Sequence, residues 1–329
     1  MKAASTGSSP KAERMDLARW TPVRLSLQPP EATLDWAALS GIRFEEPFFD
    51  QTVARWADRP VQRTGLRELA LLDAEPSLDP MGFVFHMSRC GSTLVSRLLS
   101  TLPGMVVVSE PGPVNALLEI DPALVDADAR ATVLRLLIRA LGRVRFGDER
   151  HYVVKLSSWN VRLLPLFRAA FPDVPWVFVH RDPAAVMASI LAGPPGWMQL
   201  RRFPRHAEYL FGIDAVESMA PEEFCARALA AMIEAWLAEA PPDALTIDYR
   251  TLPGAIWERV APRFGLGLQD ADIARMTAEA RFSAKEPGQR VFTAAGPPPE
   301  PLAALSLVEP AYRRLIARSA DIKPSPPEG

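Results

Sequence analysis

Phe83-Val84-Phe85-His86-Met87-Ser88-Arg89-Cys90-Gly91-Ser92-Thr93-Leu94-Val95-Ser96-Arg97-Leu98-Leu99 is the stretch from which the fold is read. Residues 83–86 make a short apolar strand, and Leu94, Val95, Leu98, Leu99 and Leu102 recur at helical spacing over 92–102. A turn of small residues joins the two, so the helix opens with first-turn N–H groups that have no acceptor within the helix and suit an anion. Ser92 and Thr93 add hydroxyls there, and Arg89 adds a fixed positive charge. This is the layout of a phosphate-binding loop. It lacks the lysine of the nucleotide-triphosphatase pattern Gly-x-x-x-x-Gly-Lys-Ser/Thr, because Ser92 stands at the lysine position, and magnesium–ATP chemistry is disfavoured. The same letters also suit an N-capped helix whose hydroxyls satisfy only its own backbone.

Outward from this unit the alternation continues. Strands are predicted over 105–108, 151–156, 175–180 and 244–248, with helices over 133–141, 161–171, from Pro183, and over 221–238, 253–264 and 312–319. Short apolar strands alternating with longer helices specify an α/β fold, here a P-loop-type three-layer arrangement with a central, mainly parallel sheet flanked by helices. The chain reads as a flexible tail over 1–16 and a single domain over 17–329. Within that domain lie an aromatic-rich N-terminal extension (17–81), a core (82–290) and a proline-rich C-terminal wrap (291–329).

Composition narrows the classes. Thirty-three prolines in 329 residues exclude a long coiled coil or an all-helical bundle, since an interior proline costs a helix about 3 kcal/mol. With 37 Lys+Arg against 39 Asp+Glu there is no global drive toward nucleic acid or an anionic membrane. Two cysteines, Cys90 and Cys225, are too few for a disulfide framework and point to a reducing, cytoplasmic compartment. No run of 18 apolar residues predicts a membrane span, and residues 1–17 lack the apolar stretch of a secretory signal. His86, His151, His180 and His206 show no ligand spacing, so no metal is expected.

A second anion motif follows the fourth core strand. In Val177-Phe178-Val179-His180-Arg181-Asp182-Pro183, Arg181 ends the strand, Pro183 starts a helix, and Ser189 comes eight residues after Arg181. A guanidinium at a strand end and a hydroxyl two turns into the next helix can grip one phosphate together. A surface Arg181–Asp182 pair beside a helix-interior serine has the same letters.

Arg89-Cys90-Gly91-Ser92-Thr93 with its leucine-rich helix resembles the 5′-phosphosulfate loop of sulfotransferases that use 3′-phosphoadenosine 5′-phosphosulfate (PAPS), nearest to the tyrosylprotein and carbohydrate branch. Arg181-Asp182-Pro183 with Ser189 resembles that family's 3′-phosphate motif. The resemblance covers about residues 82–290. It implies transfer of a sulfuryl group to an acceptor hydroxyl or amine on a small molecule, carbohydrate, lipid or peptide, without a metal. It assigns Arg89, Cys90, Gly91, Ser92, Thr93, Arg181 and Ser189 to the nucleotide, and Lys155 to the transferring group. Glu110, 19 residues past Gly91 and followed by the stiffening Pro111, takes the role of general base; His86 is the rival. A solvated loop glutamate and a lysine snorkelling to water are the plainer readings of the same two residues.

Tyr249, in Thr246-Ile247-Asp248-Tyr249-Arg250-Thr251-Leu252, sits where the family has Tyr-Glu-x-Leu, with Arg250 in place of the acid; it suits a nucleotide contact or a core tyrosine equally. Ser283 and Lys285, with Arg290, resemble the late loop that closes over the nucleotide. Trp197, Arg201 and Arg202 are a candidate lid or acceptor wall. Cys90, beside Arg89 in an anion loop, is expected to have a lowered pKa. Two other classes share the motifs: a P-loop small-molecule kinase or phosphotransferase, and a non-catalytic nucleotide-binding protein.

Overall fold

The computed structural model describes residues 20–27, 31–71, 77–282 and 303–321. The aromatic N-terminal segment folds as a three-stranded antiparallel sheet, β1 (Thr21–Ser26), β2 (Thr33–Ala37) and β3 (Val61–Gly65), with β2 in the middle. Leu34 and Trp36 alternate with Asp35 along β2; both apolar side chains are fully buried, and Asp35 pairs with Arg63 on β3 at 2.6 Å. β1 lies against the Gly112–Leu118 and Ala127–Leu141 helices, so this sheet braces the helix that follows Glu110.

The core is an α/β sheet of five parallel strands: β4 (Gly82–His86), β5 (Met105–Ser109), β6 (His151–Lys155), β7 (Trp176–His180) and β8 (Leu245–Asp248). Their order is β5-β6-β4-β7-β8, every neighbouring pair parallel. All residues of β4, β5 and β7 are buried, on both faces, as a sheet covered by helices on each side requires. Phe83 and Phe85 of β4 pack edge-on against Phe167, and Phe178 of β7 stacks on Trp236 at 4.9 Å. The Ser92–Leu99 helix buries Val95, Leu98 and Leu99 against β4 and β5.

From β4 the chain crosses to β5 at one edge, returns through β6, and then moves to β7 and β8 on the other side of β4. The strand order therefore reverses at β4, and in such sheets the crevice outside the strand C-termini at the reversal is where ligands bind.

Local proline chemistry accounts for several of the departures from the sequence pattern. The helix predicted over 161–171 is a 3₁₀ helix, Ser158–Leu163, followed by an α-helix, Leu164–Ala170. Pro165 has no N–H to donate and sits in the first turn of the second piece, where none is needed. The helix predicted over 253–264 begins as a π-helical turn, Ile256–Val260, and ends as a short α segment with Pro262 in its first turn. The Gly112–Leu118 and Pro204–Phe211 helices went unpredicted because their opening Gly-Pro and Phe-Pro pairs read as turns, yet each proline occupies the first or second helical position. Asp270–Glu279 buries only Met276 and so has little apolar stripe to read, and the short helices Phe49–Arg55 and Arg67–Leu71 are likewise not predicted. The late helix spans Glu309–Asp321, longer at both ends than predicted.

Candidate functional site

One cavity of about 680 Å³ is lined from the C-terminal end of every core strand. His86 closes β4, Glu110 follows β5, Lys155 closes β6, Arg181 follows β7 and Tyr249 follows β8. Its size is that of a small-molecule site. Ser88, Arg89, Cys90, Gly91, Ser92 and Thr93 form one wall, with the first turn of the Ser92–Leu99 helix among them, and Ser189 lines the same space. The two anion motifs, some ninety residues apart in sequence, thus share one cavity.

Backbone geometry in the loop is specific. Gly91 has φ +87°, a region L side chains rarely adopt, and a Cβ there would sit 2.7 Å from the Tyr249 ring. Arg89 itself is left-handed, φ +56°. Its Nη2 donates to the Gly193 carbonyl, tying the loop to the 193–197 segment, while its Nε is buried with no hydrogen-bond partner among the described residues. Arg181 lies over the Tyr249 ring, 4.5 Å from its centroid, a cation–π contact at the cavity wall.

Across the cavity, Lys155 is 1% exposed and its ammonium pairs with Glu110 Oε1. The Lys155 Nζ also sits 5.0 Å from the centre of the Phe48 ring. Glu110 has φ +52°, unusual for a residue with a side chain, and its carboxylate is about a quarter exposed, through the cavity. Burial by itself would raise the Glu110 pKa. The positive charge of Lys155, with help from His86, outweighs it and holds the carboxyl well below the usual range. His86 is buried, and burial first, then Lys155, pushes its pKa down, so the ring is neutral. Its Nε2 faces the Leu156 carbonyl at 2.9 Å and its Nδ1 the Met87 carbonyl at 3.4 Å; a neutral ring has one proton to give, and the shorter contact places it on Nε2.

No protein-family model matches the chain, and no curated protein matches it. Among solved structures the chain is similar to the sulfotransferase STF9 from Mycobacterium avium, at 13% identity and TM-score 0.44, over 78% of this chain and 81% of that one. It is also similar to a sulfotransferase from Alicyclobacillus acidocaldarius, at 15% identity and TM-score 0.43, over 75% and 98% of the two chains. A third is the sulfotransferase domain of the Synechococcus PCC 7002 olefin synthase, at 14% identity and TM-score 0.40, over 72% and 96%. Likeness at this level carries no chemistry across. That comes from the residues of the cavity.

Cys90 departs from expectation. Its side chain is fully buried, Sγ lies 3.1 Å from the Val179 carbonyl, and burial pushes the thiol up to about 12 despite Lys155 and Arg181 nearby. Position beside Arg89 in sequence does not expose it to Arg89's field in space. Trp197 is 7% exposed, packs on Phe211 and Phe224 and lines the cavity as part of its wall; Arg201 and Arg202 are not among the lining residues. Arg250 points to the surface and pairs with Asp248 at 2.6 Å. Ser283 and Lys285 lie outside the described residues, as does Arg290.

Several lining residues had no sequence signal of their own. Phe48 and Asp50 come from the N-terminal extension, and Asp50 Oδ1 accepts the Gly112 N–H at 3.1 Å. Asn115, Ser157, Ser158 and Trp159 complete that side. The one available clue was Ser157-Ser158-Trp159-Asn160 directly after the Lys155 strand, a serine three residues before an amide side chain at a helix start.

Proposed function

We propose that this chain transfers a sulfuryl group from PAPS to an acceptor hydroxyl or amine, with Glu110 as general base. The observation that supports this most is the sharing of a single cavity by the two anion motifs and the Lys155–Glu110 pair. The residues suit a nucleotide carrying two separate anionic groups: one end offers the helix N-terminus, Ser92, Thr93 and Arg89 with its unpartnered Nε, and the other offers Arg181 and Ser189. The donor supplies an activated sulfuryl group on its 5′-phosphate. Lysine at the triphosphate position is absent from the loop, which weighs against a kinase reading.

The chain's own contribution is positioning and charge. Arg89 and the first-turn amides hold the phosphate end, and Arg181 over Tyr249 holds the 3′-phosphate. Lys155, buried and cationic beside the cavity, stabilises negative charge that builds on the sulfuryl oxygens. Glu110 takes the acceptor proton at Oε1 once Lys155 turns toward the donor. His86 suits that task less, because with Nε2 protonated its free lone pair is on Nδ1, which faces the Met87 carbonyl.

The test is a screen of radiolabelled PAPS against phenols, sugars, lipids and peptides, run with the wild type and Glu110→Gln. Label is expected in at least one acceptor class with the wild type and to fall at least a hundredfold with Glu110→Gln, while the variant still binds adenosine 3′,5′-bisphosphate. Full activity in Glu110→Gln removes the base assignment.

A further inference from the structure

Beside Glu110 three side chains at the cavity wall form a hydrogen-bond chain with a single direction. It starts at the backbone N–H of Ser157, which can only donate and gives its proton to Asn160 Oδ1 at 2.8 Å. With that oxygen engaged, Asn160 presents its amide Nδ2 to Asn115 Oδ1 at 3.2 Å. Asn115 then presents Nδ2 to Ser157 Oγ at 3.0 Å. A hydroxyl that accepts on this side has its own proton free for the other, and Glu110 Oε2 lies 3.2 Å away. An amide's two ends are not interchangeable, so the backbone N–H at the start sets the direction of every link. Ser157 and Asn160 are 4% and 1% exposed, while Asn115 is half-buried at the cavity wall.

The chain divides the carboxylate. Oε2 accepts from Ser157, and Oε1 faces Lys155, with His86 Nε2 at 3.7 Å. Resting on the sulfuryl-transfer reading of the cavity, we propose that Asn160, Asn115 and Ser157 are positioning residues that keep Oε2 occupied, so that the acceptor's proton is delivered to Oε1. In that step the acceptor O–H or N–H bond breaks and the Oε1–H bond forms. The electron pair left on the acceptor makes the new bond to sulfur, and the departing phosphate keeps the pair of the sulfur–oxygen bond that breaks. A donated hydrogen bond favours the charged carboxylate, so the relay also keeps Glu110 ionised when Lys155 is turned toward the donor. The other charged or titratable groups around Glu110 are Lys155, His86 and Asp50; all three are retained in the kinetic variants below, and His86 and Asp50 in the titration variants as well.

Two measurements on the full chain test this. The first compares Ser157→Ala, Asn115→Ala and Ser157→Thr in transfer kinetics. Both alanine variants are expected to lose kcat at least tenfold, to keep KM for the donor within twofold, and to move the acid limb of the pH profile up by about one unit, the size expected for a lost hydrogen bond to a charged group. Ser157→Thr, which keeps the hydroxyl, is expected to restore the limb. The second follows the Glu110 carboxyl carbon by NMR on ¹³C-glutamate protein, in a Lys155→Met background where the ammonium no longer depresses the titration. Its midpoint is expected to rise by about one unit on adding Ser157→Ala and to stay in place on adding Ser157→Thr. An unmoved acid limb in both alanine variants and an unmoved midpoint on adding Ser157→Ala overturn the proposal and leave these residues a structural role only. If the wild type sulfates no acceptor, that failure belongs to the sulfuryl-transfer reading, and the carboxyl titration still decides whether the relay acts on Glu110.

Discussion

Glu110 and Lys155 are joined twice: the Glu110 backbone N–H donates to the Lys155 carbonyl at 2.7 Å, and the Lys155 ammonium pairs with Glu110 Oε1. The first bond continues the β5–β6 ladder one residue past its last paired residues, Ser109 and Lys155. It fixes Glu110 in its left-handed conformation with the carboxylate over the neighbouring strand end. The second bond keeps a buried ammonium and a carboxylate neutralised until an anion competes for the lysine.

Removing the lysine should therefore do more than remove a charge. Lys155→Met leaves Glu110 in a desolvated position without its counter-ion, so its carboxyl pKa rises. Breaking a fully buried pair costs 3–5 kcal/mol; with Glu110 about a quarter exposed, a loss of about 2 kcal/mol is expected in urea unfolding at pH 7. The double variant Lys155→Met, Glu110→Gln should recover most of that loss. Additive losses in the double variant would show that the two side chains do not act as a pair.

His180 supplies a pH dependence of known sign. It is 1% exposed, and burial pulls its pKa down to about 4 from 6.5. Between those two values the unfolded chain takes up a proton that the folded chain refuses. The stability His180 contributes is complete above pH 6.5 and drains away as pH falls toward 4, by about 3 kcal/mol. His86, also displaced downward by burial, acts with the same sign. Urea midpoints measured from pH 7.5 to 4.5 should fall steadily in the wild type and clearly less in His180→Leu; equal slopes would contradict the assignment.

Cys90 should be inert. With its pKa at about 12, roughly one thiol in ten thousand is thiolate at pH 8. Iodoacetamide at pH 8, read by mass spectrometry, should leave Cys90 unmodified over an hour in the native protein and label it fully in denaturant. Rapid native labelling would mean that the anion loop opens.

Gly91 cannot carry a side chain. Gly91→Ala combines a left-handed backbone with a Cβ 2.7 Å from the Tyr249 ring, and displacing that ring also removes the surface under Arg181. A stability loss of about 1–3 kcal/mol is expected, together with at least tenfold weaker binding of adenosine 3′,5′-bisphosphate. Gly91→Ala,Tyr249→Ala should relieve the clash and regain stability without regaining affinity. A single variant that binds like the wild type would contradict the role of the loop.

What could be read from sequence and what could not divide along a physical line. The loop at 88–93 and the Arg181–Ser189 pair are local: strand, turn and helix start follow one another in the chain, so their letters suffice. Glu110 and Lys155 are legible as polar residues ending apolar strands, because parallel strands deliver their C-terminal ends to one edge. Asn115, Asn160 and Ser157 are ordinary polar residues with no spacing that announces them; only the docking of the Gly112–Leu118 helix beside the end of β6 links them. Phe48 and Asp50 reach the cavity because the N-terminal segment forms its own sheet against that helix. Cys90 misleads in the opposite sense, since the sequence shows its charged neighbour but not the Val179 carbonyl that it meets when buried.

What the cavity holds decides what the chain can do, and isothermal calorimetry measures that without knowledge of the acceptor. Adenosine 3′,5′-bisphosphate is expected to bind the wild type with micromolar affinity, and at least a hundredfold more weakly to Arg181→Ala, while magnesium–ATP binds the wild type at least tenfold more weakly than the bisphosphate. Tighter binding of magnesium–ATP, or bisphosphate affinity unchanged in Arg181→Ala, would contradict the sulfuryl-transfer reading.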